Sequence, residues 1–255
     1  MAQGAPGGVG PQLVCVDALW CGTANFGSLD AQEGCFCGDA GGYVIKKDAP
    51  DPYTPHNEWL CSNLATKVGV PQLGFDIVRH VDGNMWFGSS WKNSKVIDWW
   101  LLAQAGKINI DDLREGLSRI YILDLFIHNV DRHMNNYFVV LDGADYRIFS
   151  FDYGRAWRHH GWPLPPVMTD PALNTVNNKN WLKQTFPTYF DAVAANETLD
   201  RLGAVTSGQI EEIIAKEPAN WLQEPLISDT ISWWAAHASA RLDQIRIGIG
   251  NGTLL

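Results

Sequence analysis

The sequence predicts an α+β protein of two lobes. Three observations carry that expectation. Short β-prone runs crowd the first third of the chain, helical periodicity takes over from about residue 95, and a single hairpin interrupts the helices. The 255 residues are 46% hydrophobic, enough for one sizeable core, as one domain or as two lobes sharing a cleft. Twelve Trp residues favour burial, so the chain reads as globular and not disordered.

Each element follows from local pattern. Residues 13–20 are apolar and β-prone, and residues 22–28 are small and turn-rich. A strand is expected at 35–37, a turn at 38–42, and a strand at 43–46 with Val44 and Lys46 on one face. A small antiparallel sheet therefore opens the chain. Asp51-Pro52 and Thr54-Pro55 break it. Residues 56–68 then place Trp59, Leu60, Leu64 and Val68 on a helical stripe, which Gly69 and Pro71 end. Residues 75–81 read as a strand, 82–84 as a turn, and 85–87 as the start of the return. Residues 111–129 carry Leu113, Leu117, Ile120, Leu123 and Ile127 on a broad stripe, capped by Asn109 or Asp111. A proline-rich irregular stretch covers 163–171, and helices follow at 207–216 and 229–247. Trp99-Trp100 and Trp233-Trp234 are expected in the core. The organisation is a flexible leader (1–10), a sheet lobe (11–88) and a helical lobe of the same domain (89–255).

Charge narrows the function classes. A formal net charge of −9 argues against general nucleic-acid binding and against docking on an anionic membrane. No run of eighteen apolar residues is present, and the first residues lack the basic and apolar regions of a signal peptide. A cytoplasmic protein is expected. The five Cys, at 15, 21, 35, 37 and 61, read as free thiols, because Cys35-Phe36-Cys37 is too tight for a zinc pair and has no matching second pair.

The chemistry concentrates in His128-Asn129-Val130-Asp131-Arg132-His133-Met134-Asn135-Asn136. This segment closes an apolar helix and enters a hairpin: 137–141, a turn at 142–145, and 146–151, ending on Asp152-Tyr153-Gly154. If Leu141 faces Tyr146, then Asn136 faces Phe151, and Asn136 and Asp152 meet at the open end. Two oxygen donors there suit Mg2+, which takes one or two carboxylates plus substrate phosphates. Asp131, in the entering loop, is placed to accept a proton from an attacking hydroxyl. Protein kinases use an Asp, an Asn five residues on, and a D-F-G Asp after a short hairpin. Asp131, Asn136 and the D-Y-G at Asp152 follow that spacing.

Lys46 is the candidate phosphate-holding strand lysine, with Glu58 on the next helix as its partner; Lys47 points to the opposite face. Gly22, Thr23, Gly27 and Ser28 form a candidate phosphate loop, although it is no clean G-x-G-x-x-G, and residues 34–42 are also glycine-rich. Residues 87–90, with Phe87 and Gly88, read either as the lobe connector where adenine binds or as a plain loop. Arg155, Arg158, His159 and His160 read either as a contact for a phosphorylated product or acidic substrate, or as a solvated loop.

At these residues the chain resembles the HipA-like kinases and, more distantly, the phosphatidylinositol 3/4-kinase-like group. The markers are Tyr43-Val44-Ile45-Lys46, Asn57-Glu58-Trp59 with Gly69-Val70-Pro71, the loop from Asn129 to Asn136, and Phe151-Asp152-Tyr153-Gly154. The resemblance spans about Tyr43 to Ile247 and includes the ending through Ile210, Trp221 and Arg241-Leu242, as in compact stand-alone members. It implies a protein kinase-like two-lobed fold, ATP and Mg2+. By it, Asp131 is the base, Asn136 and Asp152 are metal ligands, and Lys46 binds phosphate. Toxin members phosphorylate Ser or Thr in protein targets, are often silenced by an antitoxin partner, and some are regulated on a phosphate-loop serine; Ser28 and Thr23 are the candidates. The extra N-terminal subdomain of the longer toxins is not expected in this chain, and its phosphate loop reads as degenerate. The expected activity is Ser/Thr protein phosphorylation. The alternatives are a small-molecule or phosphoinositide-type kinase, or a nucleotide-binding pseudokinase.

Overall fold

The computed structural model describes residues 14–23, 33–48, 51–91, 95–221 and 225–255. Six strands, β1 (Val16–Asp17), β2 (Trp20–Thr23), β3 (Glu33–Phe36), β4 (Gly42–Lys46), β5 (Phe75–Arg79) and β6 (Met85–Trp91), form one sheet. Its order is β1-β5-β6-β4-β3-β2. All pairings are antiparallel except that β1 runs parallel to β5, a departure from the purely antiparallel sheet that was expected.

Three expectations for this lobe change. Gly22 and Thr23 are strand residues, paired with Gly34 and Glu33, because the register set by Cys21 opposite Cys35 carries through them. Gly27 and Ser28 lie outside the described residues. Phe87 to Ser90 form neither a connector nor a loop. They sit mid-strand in β6, bonded to β4 on one side and β5 on the other, and β6 continues to Trp91, beyond the boundary expected at 88. Phe87 is buried and stacks on Phe75 at 5.7 Å. Gly88 permits close packing: a Cβ there would lie 2.4 Å from Val78 Cγ2. Finally, Cys21 and Cys35 are not free thiols. They are joined by a disulfide, their Cα atoms 4.1 Å apart as direct cross-strand partners. Cys15, Cys37 and Cys61 are free.

Helix α1 (Thr54–Val68) packs beside the sheet, with Pro55 in its first turn and Gly69 (φ 73°) as left-handed cap. The helical lobe holds α2 (Trp99–Gln104), α3 (Ile110–Ile127), the hairpin β7 (Tyr137–Asp142) and β8 (Asp145–Ser150), α4 (Asn174–Thr185), α5 (Ala192–Gly203), α6 (Ser207–Ile214) and α7 (Leu226–Gly250). Asn109, one of the two caps left open, accepts from the Asp111 amide at 3.1 Å. From Leu117 to Ile127 every residue of α3 is buried. It is therefore the axis of the lobe, with α5, α7 and β8 around it. Trp99, Trp233 and Trp234 lie in the core as expected, the last two edge-on to Phe126.

The helix α3 ends at His128, buried and left-handed at φ 56°. Burial, with the Arg241 charge beside it, pushes its imidazole down to about 4. The neutral ring thus contributes stability that is present above the unfolded value near 6.5 and is lost as pH falls toward 4, about 3 kcal/mol in all. His128→Asn, which tolerates the left-handed backbone and does not titrate, is expected to flatten the stability-versus-pH curve between those limits. Urea unfolding at a series of pH values reads the slope.

Candidate active site

The loop between α3 and β7 is organised from below by Arg132. Its buried guanidinium grips Asp124 of α3 through Nε (2.9 Å) and Nη2 (3.0 Å). Nη1 donates to the carbonyls of Asn136 (2.8 Å) and Phe151. The hairpin register pairs Leu141 with Tyr146 and ends with Tyr137 opposite Ser150. Asn136 and Phe151 are the next pair in that register, and Arg132 bridges them where the ladder stops. Its guanidinium also lies over Tyr153 (5.0 Å) and Tyr137 (5.7 Å).

This bridge sets Asn136 and Asp152 at the open end of the hairpin. Asn136 Nδ2 donates to the Asp131 carbonyl at 2.9 Å, which turns its amide oxygen the other way. Asp152 takes a left-handed backbone, φ 65°, and its Oδ1 lies 2.9 Å from Lys46 Nζ. Lys46, on β4, is buried and also 3.8 Å from Glu58 Oε1. The Glu58 carboxylate accepts the backbone amides of Tyr153 (3.0 Å) and Gly154 (3.1 Å). Asn57 Nδ2 donates to the Gly154 carbonyl at 3.0 Å. Two adjacent residues of α1 thus hold the D-Y-G backbone, while Lys46 ties its carboxylate to the sheet.

Electrostatics follow from burial. Burial, with the negative Asp152 nearby, pushes the Glu58 carboxyl up to about 7, against the pull of Lys46. Burial also works against the Asp152 charge, but the Lys46 ammonium overrides it and holds that carboxyl below the usual range.

Asp131 is held from outside its own loop. Asn174, the first residue of α4, donates Nδ2 to Asp131 Oδ1 at 2.5 Å. Arg155 Nε stands 3.5 Å from the other oxygen. Thr175 laces the same turn to the loop: its amide donates to the Val130 carbonyl (3.2 Å), and its hydroxyl donates to the Asn129 carbonyl and accepts from the Arg132 amide (3.0 Å).

The other expected residues divide. Lys47 turns away and pairs with Glu33 at 2.5 Å. Gly22 and Thr23 lie in the edge strand β2, with β3 between them and the Lys46 strand. Phe87 is the cross-strand neighbour of Lys46, but its ring points into the core. Arg158 is not a solvated residue: it stacks on Trp162 (4.1 Å) and bonds Asp229 (3.3 Å). Arg155 and His159 line a cavity of about 60 Å³ together with Lys46, Thr54 and Asp152. Sequence reading missed Asp124, Asn174 and Thr175. Asp124 left a signal, a carboxylate within an apolar helical run, which demands a buried partner. Asn174 left none.

A family profile described as HipA-like kinase matches residues 32–245. Among solved structures, the Helicobacter pylori proinflammatory kinase CtkA is similar at 15% identity and a TM-score of 0.58, over 91% of this chain and 97% of that one. HipA of Shewanella oneidensis MR-1, solved with HipB and operator DNA, is similar at 11% identity and a TM-score of 0.49, over 80% of this chain and 57% of that one. No curated protein sequence matches. The CtkA likeness shows a shared kinase fold.

Asp124→Asn leaves the Arg132 guanidinium buried without its counter-charge. A loss of about 3–5 kcal/mol is expected, since breaking one side of a buried pair strands the other charge. Urea unfolding measures it; a change under about 1 kcal/mol contradicts the central place given to this pair.

Proposed function

We propose that this chain, which belongs to the HipA-like kinase family, transfers the terminal phosphoryl group of ATP to a Ser or Thr hydroxyl of a protein, with Asp131 as the base. Membership makes it a kinase-type phosphotransferase and implies ATP and a divalent metal. What supports the finer reading is the pairing of Lys46 with Asp152 and of Asn136 with Asp131, two pairs that Arg132 draws together through the carbonyls of Asn136 and Phe151.

The donor set suits Mg2+. Asn136 offers an amide oxygen and Asp152 a carboxylate, both hard ligands, and no thiol or imidazole is among them. Asn136 and Asp152 would hold the Mg2+, which would supply neutralisation of the charge that develops during transfer. Lys46 and Asp152 hold each other at 2.9 Å. A phosphate offers Lys46 an equivalent negative partner, which releases the Asp152 carboxylate for its ligand role. Glu58 keeps Lys46 and the D-Y-G backbone in register through its two amide contacts. Asp131 orients the acceptor hydroxyl and takes its proton at a carboxylate oxygen. Asn174 is a positioning residue that fixes the rotation of that carboxylate.

Incubation with labelled ATP and Mg2+, alone and with cell extract, tests this reading. Label transfer is expected from the unmodified chain and is abolished by Asp131→Ala, with ATP binding retained. Transfer to a small-molecule or lipid fraction but to no protein would reassign the acceptor. Binding without transfer to anything would make the chain a nucleotide-binding regulator. Asp152→Ala is expected to lose metal-dependent ATP affinity; unchanged affinity in Mg2+ refutes its ligand role. Asn174→Ala is expected to lower kcat by about ten- to a hundredfold with KM for ATP little changed, because a misplaced base costs rate and not binding. A matching rise in KM contradicts the positioning role.

A further inference from the structure

A second cluster of chemistry lies on the outer part of the sheet, away from Lys46. Glu33 and Cys35 are two apart in β3, so their side chains share one face, and the partners opposite them, Thr23 and Cys21, share it too. His80, just past β5, packs against that face and is buried. The two Sγ atoms and a ring nitrogen of His80 lie within 4.8 Å of one another. Asp82 engages His80 Nδ1 at 2.9 Å, and Glu33 Oε1 faces Nε2 at 2.8 Å. The other Glu33 oxygen is held by Lys47 at 2.5 Å.

We propose that, once the Cys21–Cys35 disulfide is reduced, Cys21, Cys35, His80 and Glu33 bind a zinc-class divalent cation. Two thiolates, an imidazole and a carboxylate form a tetrahedral donor set that zinc accepts. Asp82 supplies the carboxylate that metal-bound histidines need on the other ring nitrogen, fixing the tautomer so that Nε2 is the ligand atom. Cys21, Cys35 and His80 are the three donors already within 4.8 Å of one another; Glu33, 2.8 Å from His80 Nε2, stands beside them and completes the set when the cation replaces that contact. Lys47 balances the surplus negative charge of two thiolates and a carboxylate.

The chemistry closes in two steps. A dithiol gives two electrons and two protons to the Cys21–Cys35 bond and becomes a disulfide itself, leaving two thiols. Each thiol then loses its proton as its sulfur bonds the cation. Both states cross-link β2 to β3.

Cobalt titration reads the site directly. The full chain is reduced with dithiothreitol, desalted without oxygen, and titrated with Co2+. A thiolate-to-cobalt charge-transfer band with tetrahedral ligand-field bands is expected at one Co2+ per chain, and one equivalent of Zn2+ abolishes both. The diamide-oxidised protein should show neither. His80→Ala, which keeps both thiols, should weaken binding by at least about tenfold, and Cys61→Ser, at a thiol buried elsewhere, should not change it. Near-UV circular dichroism confirms that each variant is folded. Absence of the charge-transfer band in the reduced protein, or an unaltered titration in folded His80→Ala, overturns the proposal.

Discussion

Burying two opposite charges costs several kcal/mol per ion unless each is paired and hydrogen-bonded on every side. Asp124 and Arg132 meet that condition. Asp124 accepts from Arg132 at both oxygens and from Asn129 Nδ2 at 2.8 Å. Arg132 spends its remaining Nη1 on two carbonyls that no strand partner reaches. One end of this pair is fixed in the axial helix α3 and the other in the hairpin mouth. The positions of Asn136, Asp152 and the loop around Asp131 are therefore consequences of one bidentate contact. Lysine, a single-point donor, cannot bridge all three groups.

The second constraint is a shortage of charge. Lys46 stands between the Glu58 and Asp152 carboxylates, where burial works against the charge of both acids. Asp152 takes the closer contact and stays ionised; Glu58 is the one whose carboxyl rises. The asymmetry has a structural source. Lys46 stands 2.9 Å from Asp152 but 3.8 Å from Glu58, so burial and the Asp152 charge raise the Glu58 carboxyl, and the Tyr153 amide it accepts offsets only part of that rise. The helix glutamate thus serves as a clamp on the turn as much as an ion-pair partner.

The sequence made most of this legible where the signal was local. The α3 stripe, the Gly69 stop and the hairpin register of Leu141 with Tyr146 all follow from periodicity and turn chemistry. It failed where contacts run between distant segments. Residues 87–90 look like a polar, glycine-bearing linker, yet they form a central strand because both neighbours supply hydrogen bonds and Gly88 lets them approach. Cys21 and Cys35 looked like scattered thiols until strand register set them face to face. Asn174 was invisible, since an Asn at a helix start is ordinarily read as a cap, and here its side chain reaches a residue 43 positions earlier.

Long-range contacts also decide how rigid the site is. In kinases, placement of the helix glutamate beside the strand lysine controls competence. Here α1 is anchored to the helical lobe at successive turns. His56 Nδ1 contacts both oxygens of the buried Glu217 at 2.9 and 3.0 Å, Asn57 holds Gly154, and Trp59 Nε1 donates to the Ile213 carbonyl at 2.9 Å. Trp221, just beyond Glu217, donates to the Met85 carbonyl at the start of β6 (2.9 Å). The helix that carries Glu58 is therefore fastened both to the sheet that carries Lys46 and to the segment after α6. Swinging Glu58 away from Lys46 would expose the His56–Glu217 pair and strip the D-Y-G amides of their acceptor. The geometry between Lys46, Glu58 and Asp152 is accordingly a property of the assembled lobes, set by packing that spans from residue 56 to residue 221.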